Sequence, residues 1–452
     1  MKKNFKIIFC ALILLSFCHT KSNAQVSLLK NYELENAPII GQFQGITFRE
    51  GGFSGLFPIA GTDGKEFWTC SDRGVNIDAA KANPENCRPT HDKIFPFPTY
   101  SPKIHRIKIE GDKIQIIQTI LVKRPNGKPA TGIINPTGLG SASDEFVLSD
   151  TVQDCANINS KIIDKDTFGL DPEGILVDKN GNFWLCEEGG TSIWKVNADG
   201  VLIKRYTPYA NFQGTQPMDA PLDTVFKYRK TNRGFEGIAI TPNGKIYAIV
   251  QSPLLYPTKA IGESTRIHRI IEIDPVTNKQ RMFAYVNDGI INQIKLKDWK
   301  IGDMGAINDS MFLVIEAASK GTTDIKRIYM ININQATPIH SGLYNGKSLE
   351  ALVDSMGLAN NNIKPVKKDF FTDLIANGWP TNFEKAEGLA IINSTTIAVC
   401  NDNDFGQKSP NQNGVITSSN INSHLLIFTL SGANILKINS TILPKGSPKK
   451  KK

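Results

Sequence analysis

Short apolar runs recur along the chain, and turn residues separate them. Such runs occupy residues 183–186, 245–250, 311–315, 397–400 and 425–429. Short runs rich in Ile, Val, Phe and Tyr, with Gly, Asn and Asp between them, are typical of buried β-strands. Only residues 347–356 have helical spacing, and strands do not alternate with helices. The pattern therefore predicts an all-β protein.

An internal repeat groups these strands. Three strict copies open on an acid, a glycine and an apolar residue, and each reaches a polar residue fifteen positions later: Glu173 to Glu188, Glu236 to Gln251, and Glu387 to Asp402. Three looser copies run from Gln44 to Asp72, from Thr137 to Asp150, and from Met304 to Glu316. Six copies of about 70 residues fit four-stranded blades with long insertions. The sequence predicts a β-propeller of six blades with long inter-strand insertions, in which each glycine lets neighbouring backbones approach near the axis.

The repeated acids carry the candidate chemistry. If the copies are blades, symmetry brings their acids to one mouth of the central channel. Like charges at close range cannot all stay ionised without cations, and oxygen ligands without His or Cys suit Ca²⁺. We therefore expect calcium, in a number that the sequence leaves open, at the following carboxylates: Asp72, Glu173, Glu188, Glu236, Glu316, Glu387 and Asp402.

Basic residues interleave with these acids. Arginine and metal ions both neutralise phosphate oxygens, so the combination suits a small anionic ester. The predicted substrate-binding residues are Arg73, Arg233, Arg266, Lys320 and Gln251. The competing interpretation is that each arginine pairs with its neighbouring acid. The sequence has neither HExxH nor GxSxG, so we predict no side-chain nucleophile and expect metal-activated water instead.

The net charge lies at the two ends of the chain. The formal charge is +9, but eight lysines sit at positions 2, 3, 6, 21 and 449–452, which leaves a body of about +1. A balanced body gives no reason to expect nucleic acid as a partner. No stretch approaches 18 apolar residues, so no transmembrane segment is predicted. Residues 441–452 are predicted to be a disordered Lys-rich tail, and a monomer is the default expectation.

The N-terminus has the pattern of a secretory signal. Residues 1–24 combine a basic start, an apolar run over 7–18 and small residues before Gln25. A lipoprotein processed at Cys18 is disfavoured because bulky Phe17 precedes it. The mature protein is therefore expected to be exported, either periplasmic or secreted, with residues 25–440 forming a single propeller.

Five cysteines remain after removal of the signal segment. There is no CxxC pair, which excludes a zinc ribbon or a thioredoxin-like motif. Cys70 and Cys87 are candidates for a disulfide that closes a short loop. Cys70, Cys186 and Cys400 occupy similar places in similar strands and are expected to be small buried residues.

Several motifs, in order, resemble a known family. The sequence is similar to the phytase-like, esterase-like propeller proteins of exported bacterial and plant origin. The motifs are SDRG (71–74), DPEGI (171–175), FWLCEE (183–188), RGFEGI (233–238), EIDP (272–275), EKAEGL (384–389) and NDNDFG (401–406). The resemblance covers about residues 40–430. It implies a β-propeller, an esterase or phosphoesterase activity, and metal dependence by analogy to calcium-dependent propeller phytases and alkaline phosphatases.

These observations predict an exported, metal-dependent phosphoesterase that acts at the mouth of the channel. Gln251 stands where the other strict copies have an acid, so that corner is expected to bind substrate rather than metal. Two alternatives remain open: a calcium-dependent, lactonase-like propeller hydrolase, and a non-catalytic propeller that binds glycans or envelope partners.

Overall fold

The computed structural model describes residues 26–83, 93–140, 146–152, 154–210, 217–411 and 414–438. The predicted signal segment (1–24), Cys87 and the predicted tail (441–452) lie outside the described residues. The signal and the tail therefore stay predictions.

The described residues form mostly strands, with three short α-helices. The strands, in chain order, are β1 Val26–Leu34, β2 Ile39–Phe43, β3 Ile46–Arg49, β4 Phe53–Pro58, β5 Glu66–Ser71, β6 Ile77–Asp78, β7 Lys93–Ile94, β8 Lys103–Glu110, β9 Lys113–Leu121, β10 Val147–Leu148, β11 Pro172–Val177, β12 Phe183–Glu187, β13 Ser192–Val196, β14 Leu202–Thr207, β15 Asp219–Pro221, β16 Phe235–Ile240, β17 Ile246–Val250, β18 Ile267–Ile273, β19 Gln280–Val286, β20 Lys300–Ala306, β21 Met311–Lys320, β22 Thr323–Asn332, β23 Lys367–Asp373, β24 Lys385–Asn393, β25 Thr396–Asp402, β26 Gln407–Lys408, β27 Thr417–Ser418 and β28 His424–Leu430. The helices are α1 Ala79–Ala82, α2 Lys259–Gly262 and α3 Ser355–Ala359.

Five antiparallel blades form a closed ring in the described part of the chain. From the axis outward, blade 1 is β4-β5-β8-β9, blade 2 is β11-β12-β13-β14, blade 3 is β16-β17-β18-β19, blade 4 is β20-β21-β22-β23, and blade 5 is β24-β25-β28-β1. Each innermost strand contacts the next, and β24 contacts β4, which closes the circle. The N-terminal strand β1 is the outer strand of blade 5, paired antiparallel with β28. The predicted propeller is confirmed, whereas the described residues form five blades and not the predicted six.

Two of the looser copies explain the wrong blade number. The residues from Thr137 onward form a turn, with Gly138 at φ +89°, and not an inner strand. The glycine after Gln44 lies in the turn between β2 and β3. The inner strand of blade 1 is β4, where Ser54 takes the place of the acid. A motif of one polar residue, one glycine and one apolar residue also suits a turn, so the short pattern was not specific.

The glycines of the inner strands set how closely the blades approach. A Cβ on Gly55 would lie 2.7 Å from Cα of Gly174, and one on Gly388 would lie 2.7 Å from the carbonyl carbon of Gly55. A Cβ on Gly237 would lie 2.7 Å from the backbone nitrogen of Met304. Such contacts leave no room for a side chain. The glycine after the acid therefore has the predicted role at the axis.

Three cysteines pack between the blades. Cys70, Cys186 and Cys400 are free and buried, as expected. Each thiol faces a backbone carbonyl of the next blade; Cys186 Sγ, for example, lies 3.3 Å from the oxygen of Glu236. Cys155 is disulfide-bonded. The expected disulfide at Cys70 is therefore wrong, because its side chain points into the seam between blades 1 and 2.

Insertions decorate the blades. The segments after β5 and before β11 contribute the small sheet β6-β7-β10. The predicted helix over residues 347–356 is shorter and later: Val353 has φ +71°, and Asp354 then caps α3 by accepting the backbone N–H groups of Met356 and Gly357. Within the described ranges, none of the helices has the length and hydropathy needed to span a bilayer.

Candidate functional site

Equivalent positions on the inner strands place three glutamates side by side. Glu173, Glu236 and Glu387 each lie on the first strand of a blade, immediately before the glycine of close approach. The strand bulges at that point, because the register shifts between Pro172 and Gly174 and, likewise, between Phe235 and Gly237. One carboxylate oxygen of each glutamate lies within 4.8 Å of the other two. Three blades therefore direct carboxylates to one point on the axis.

The residues at the end of the second strand of blades 1, 2, 3 and 5 add a second layer. Asp72, Glu188, Gln251 and Asp402 come at or directly after the ends of β5, β12, β17 and β25. Gln251 links the two layers, since its Nε2 donates to Glu236 Oε2 at 2.7 Å and lies 3.3 Å from Glu188 Oε2. Two further groups of carboxylates have oxygens within 4.8 Å of one another: Asp72, Asp171 and Glu173, and Asp72, Asp402 and Asp404.

Burial and mutual repulsion make the carboxylates of these two layers, called the cluster below, weaker acids than usual. Burial is the largest cause of the raised pKa of Glu173, and the charges of Glu188 and Glu236 add to it. The pKa of Glu236 and of Glu387 is also raised well above the usual value, mainly by burial. Burial raises the pKa of Glu188 to about 7, although Arg73 opposes the rise. Without a cation, the cluster cannot be fully ionised near neutral pH.

Cations surround the cluster without filling its centre. The guanidinium of Arg73 is buried, lies 3.2 Å from Asp171 Oδ2, and donates to Asn232. Lys385 donates to Asp402 and, at 2.7 Å, to Asp404 Oδ1. The charge of Lys300 also opposes the rise in the pKa values of Glu188, Glu236 and Glu387. This edge of the site therefore offers positive charge next to the acids.

A cleft opens beside the second layer. Its volume is about 690 Å³, and its walls include Lys93, Asp402, Asp404 and Gln407. Burial lowers the pKa of the Lys93 ammonium, and the charge of Arg73 adds to that effect. Among the described residues, the ammonium of Lys93 has no hydrogen-bond or ion-pair partner. An anion in the cleft would supply one.

The cluster fits a hard divalent cation. Two of its buried oxygens, Gln251 Oε1 and Glu387 Oε2, have no hydrogen-bond partner within the described ranges. Buried polar atoms are normally paired, and an orphaned acceptor next to three carboxylates suits a metal ligand. The ligand set consists of carboxylate and amide oxygens, which favours Ca²⁺ or Mg²⁺ over softer metals.

The structure brings most of the predicted site residues together. Asp72, Glu173, Glu188, Glu236, Glu387, Asp402, Arg73 and Gln251 lie in or beside the cluster. Arg233 lies at its edge; its charge acts on Glu188 and Glu236, while its guanidinium donates to Ser252 Oγ at 3.0 Å.

Three predicted residues have no contact with the cluster among the contacts of the described residues. Glu316 accepts hydrogen bonds from Lys368 Nζ at 2.6 Å, from Tyr285, and from a backbone N–H. Arg266 donates to the carbonyl oxygen of Asn287. Lys320 is exposed at the end of β21. Glu316 is therefore not part of the carboxylate cluster, because its oxygens already accept these hydrogen bonds. The assignment of Arg266 and Lys320 to the substrate stays a prediction.

Other members of the site were missed from the sequence. Asp171, Lys300 and Lys385 stand two residues before the inner position in blades 2, 4 and 5, and Asp404 and Asn232 come from loops. The signal for Asp171 and Lys385 was present, because each stands two residues before the acid of a strict copy. Comparing the copies at that offset would have found these two, but not Lys300, because the blade 4 copy opens on Met304.

Comparisons with known proteins identify the family of the chain. The model of a family described as "Phytase-like: Esterase-like activity of phytase" matches residues 49–405. An uncharacterized secreted protein of Arthroderma benhamiae is 22% identical over 400 residues, covering 71% of this chain and 73% of its own.

Two solved structures resemble the chain over most of its length. The PQQ-bound aldose sugar dehydrogenase of Streptomyces coelicolor is 10% identical, with a TM-score of 0.34, and the match covers 90% of this chain and 98% of that one. A catalytically inactive virginiamycin B lyase of Staphylococcus aureus is 12% identical, with a TM-score of 0.34, and the match covers 89% and 99% of the two chains. The assignment of the fold rests on the ring of blades described above.

Proposed function

The chain belongs to the phytase-like family, and from that premise we propose that it is an exported, metal-dependent phosphoesterase acting at the mouth of the propeller. The observation that carries the proposal is the buried group of Glu173, Glu236 and Glu387, whose oxygens lie within 4.8 Å of one another. Three buried carboxylates at this distance need a cation to be ionised together.

Calcium is the proposed cation. Glu173, Glu236 and Glu387 would hold it, with the free amide oxygen of Gln251 as a neutral ligand. When bound, Ca²⁺ would polarise a phosphoryl oxygen and lower the pKa of a coordinated water. Asp72, Asp402 and Asp404 form a second group of oxygens within 4.8 Å of one another, where a further ion would bind.

The surrounding residues would bind and orient the ester. The cleft of about 690 Å³ is large enough for a small organic ester. Lys93 lines this cleft with an ammonium that has no partner in the described part of the chain, so we assign it to a non-bridging phosphate oxygen. Arg73, which Asp171 and Asn232 hold in place, and Arg233 at the edge of the cluster would offset the negative charge of the substrate.

The test measures metal binding and hydrolysis in one preparation. Purified mature chain would be titrated with Ca²⁺ by calorimetry and assayed on a phosphomonoester, a phosphodiester and a lactone, with and without EGTA. The Glu173→Gln, Glu236→Gln double variant should lose Ca²⁺ binding and phosphoester hydrolysis by at least 100-fold. Glu316→Gln, a buried carboxylate outside the cluster, is the matched control and should keep both.

Each result has a distinct meaning. Hydrolysis by the folded double variant that resists EGTA would contradict the proposal. Calcium-dependent turnover of the lactone alone would replace the phosphoesterase by a lactonase. If the protein bound Ca²⁺ but hydrolysed none of the three esters, it would be a binding propeller and not an enzyme.

A further inference from the structure

One buried carboxylate lies on the axis outside the cluster described above. Asp303, in β20, is 2% exposed. The strand pairing shows that Asp303 occupies in blade 4 the position that Gly174 occupies in blade 2 and Gly237 in blade 3. Met304, the next residue, pairs with Val314 as Ile175 pairs with Leu185. Blade 4 therefore carries an acid where the other blades have glycine, and it carries Gly302 where blades 2, 3 and 5 have glutamate.

The Asp303 carboxylate joins three blades. Its Oδ2 accepts the backbone N–H of Leu389 in blade 5 at 2.7 Å. Its Oδ1 accepts the N–H of Met304 at 2.7 Å and, more weakly, that of Ile238 in blade 3 at 3.4 Å. No ion pair to Asp303 is present within the described ranges. Both oxygens of the Asp303 side chain are therefore held by backbone N–H groups.

Innermost strands need such a partner. Strands β16 and β24 pair on one side only, with β17 and β25, so their axial edge presents unpaired N–H groups. Unpaired N–H groups buried from water are costly. Asp303 satisfies one on each of these strands, and it does so from the blade between them.

Each of the two strands that it joins carries one of the proposed cation ligands. Ile238 and Leu389 each follow a cluster glutamate by two residues, Glu236 and Glu387 respectively. Those glutamates repel each other, because the charge of Glu387 raises the pKa of Glu236. A contact that ties the strands together directly beyond the glutamates opposes this repulsion.

We propose that Asp303 is a positioning residue, whose carboxylate holds β16 and β24 at the separation that cation binding by Glu236 and Glu387 requires. This inference rests on the proposed function. Asp303 does not itself contact the cation; it acts through the two backbone amides.

The experiment combines calcium affinity with local amide exchange. Asp303→Asn keeps the shape but points an amide donor at an N–H donor, and Asp303→Gly reproduces the residue of the other blades. We expect both to bind Ca²⁺ at least tenfold more weakly by calorimetry. In the metal-free protein, hydrogen exchange at Ile238 and Leu389 should become faster. Glu316→Gln, in the same blade, should lower the melting temperature without changing the Ca²⁺ affinity.

The outcomes separate this inference from the function on which it rests. A Ca²⁺ affinity within twofold of the wild type in either folded Asp303 variant would overturn it. If the wild-type protein bound no Ca²⁺, the proposed function would fail, and amide exchange would decide the bridging role alone. Faster exchange at Ile238 and Leu389 would then support that role, and unchanged exchange would overturn it.

Discussion

Neutralising Glu188 should make the metal-free protein less sensitive to rising pH. Burial raises the pKa of Glu188 from its ordinary 4.5 to about 7 in the folded chain. An acid whose pKa is raised by folding contributes full stability below the unfolded pKa, and that stability is lost as pH rises through the folded pKa. The loss should therefore occur between about pH 4.5 and about pH 7.

The size of the effect follows from the two pKa values. Each pH unit between them is worth about 1.4 kcal/mol, so ionising Glu188 costs roughly 3 kcal/mol of unfolding free energy. Glu188→Gln removes this cost. Relative to the wild type, the variant should gain roughly 3 kcal/mol between pH 4.5 and pH 7.5, on top of a constant offset from its altered contact with Gln251.

The assay is denaturant unfolding in EGTA, followed by the fluorescence of the buried tryptophans. The comparison with the wild type is essential, because the pKa of buried His268 falls to about 3 and changes stability in the opposite direction. Glu110→Gln, at an exposed carboxylate, is the control and should show no such gain. Saturating Ca²⁺ should add about 2.7 kcal/mol to the wild type at 100 times the dissociation constant. A difference between Glu188→Gln and wild type that does not grow with pH would refute the reasoning.

Three further changes test the site and the ring. Arg73→Lys removes the planar group that reaches Asp171 and Asn232, and steady-state kinetics should show a phosphomonoester KM about tenfold higher, a loss of about 1.4 kcal/mol; an unchanged KM would exclude Arg73 from the substrate. Lys93→Met should also raise KM while leaving the Ca²⁺ titration unaltered, and a weakened titration would contradict its assignment to the ester. Gly388→Ala would place a methyl group 2.6 Å from Cys400 Sγ, and thermal unfolding should show a loss of about 2 kcal/mol; wild-type stability would mean that the blades can separate freely.

The sequence predicted the site best where the repeat was strict. Glu173, Glu236 and Glu387 share one local pattern, and equivalent strands bring them together whatever the number of blades. The residues outside the strands could not be predicted from the repeat. Asn232 and Asp404 reach the cluster from irregular backbone, which has no periodic sequence pattern. The number of blades could not be predicted either, because the same short motif of a polar residue, a glycine and an apolar residue occurs in turns and at the start of inner strands.

Blade 4 shows how a small error of register moves a residue to another face. Aligning its copy on Met304 selected Glu316 as the final acid, but the strand pairing aligns Gly302 with Glu173 and hence Ala317 with Glu188. Successive side chains on a strand point to opposite faces. Glu316 stands one residue before the position equivalent to Glu188, so its side chain points to the other face. There it contacts Lys368 and Tyr285 and does not reach the mouth. The order of acid and glycine is reversed in this blade, which is why the pattern could not fix the register.

Departures from the symmetry of the blades set the charge at the mouth of the channel. Five glutamates in a ring would repel one another too strongly for one or two cations to offset. Ser54 and Gly302 remove two of them, and Lys300 and Lys385 introduce positive charge beside the remaining three. Lys300 lowers the pKa of Glu387 in this way. The repeat thus brings the acids together, and the blades that break it leave three glutamates, whose charge one divalent cation and the neighbouring lysines together would offset.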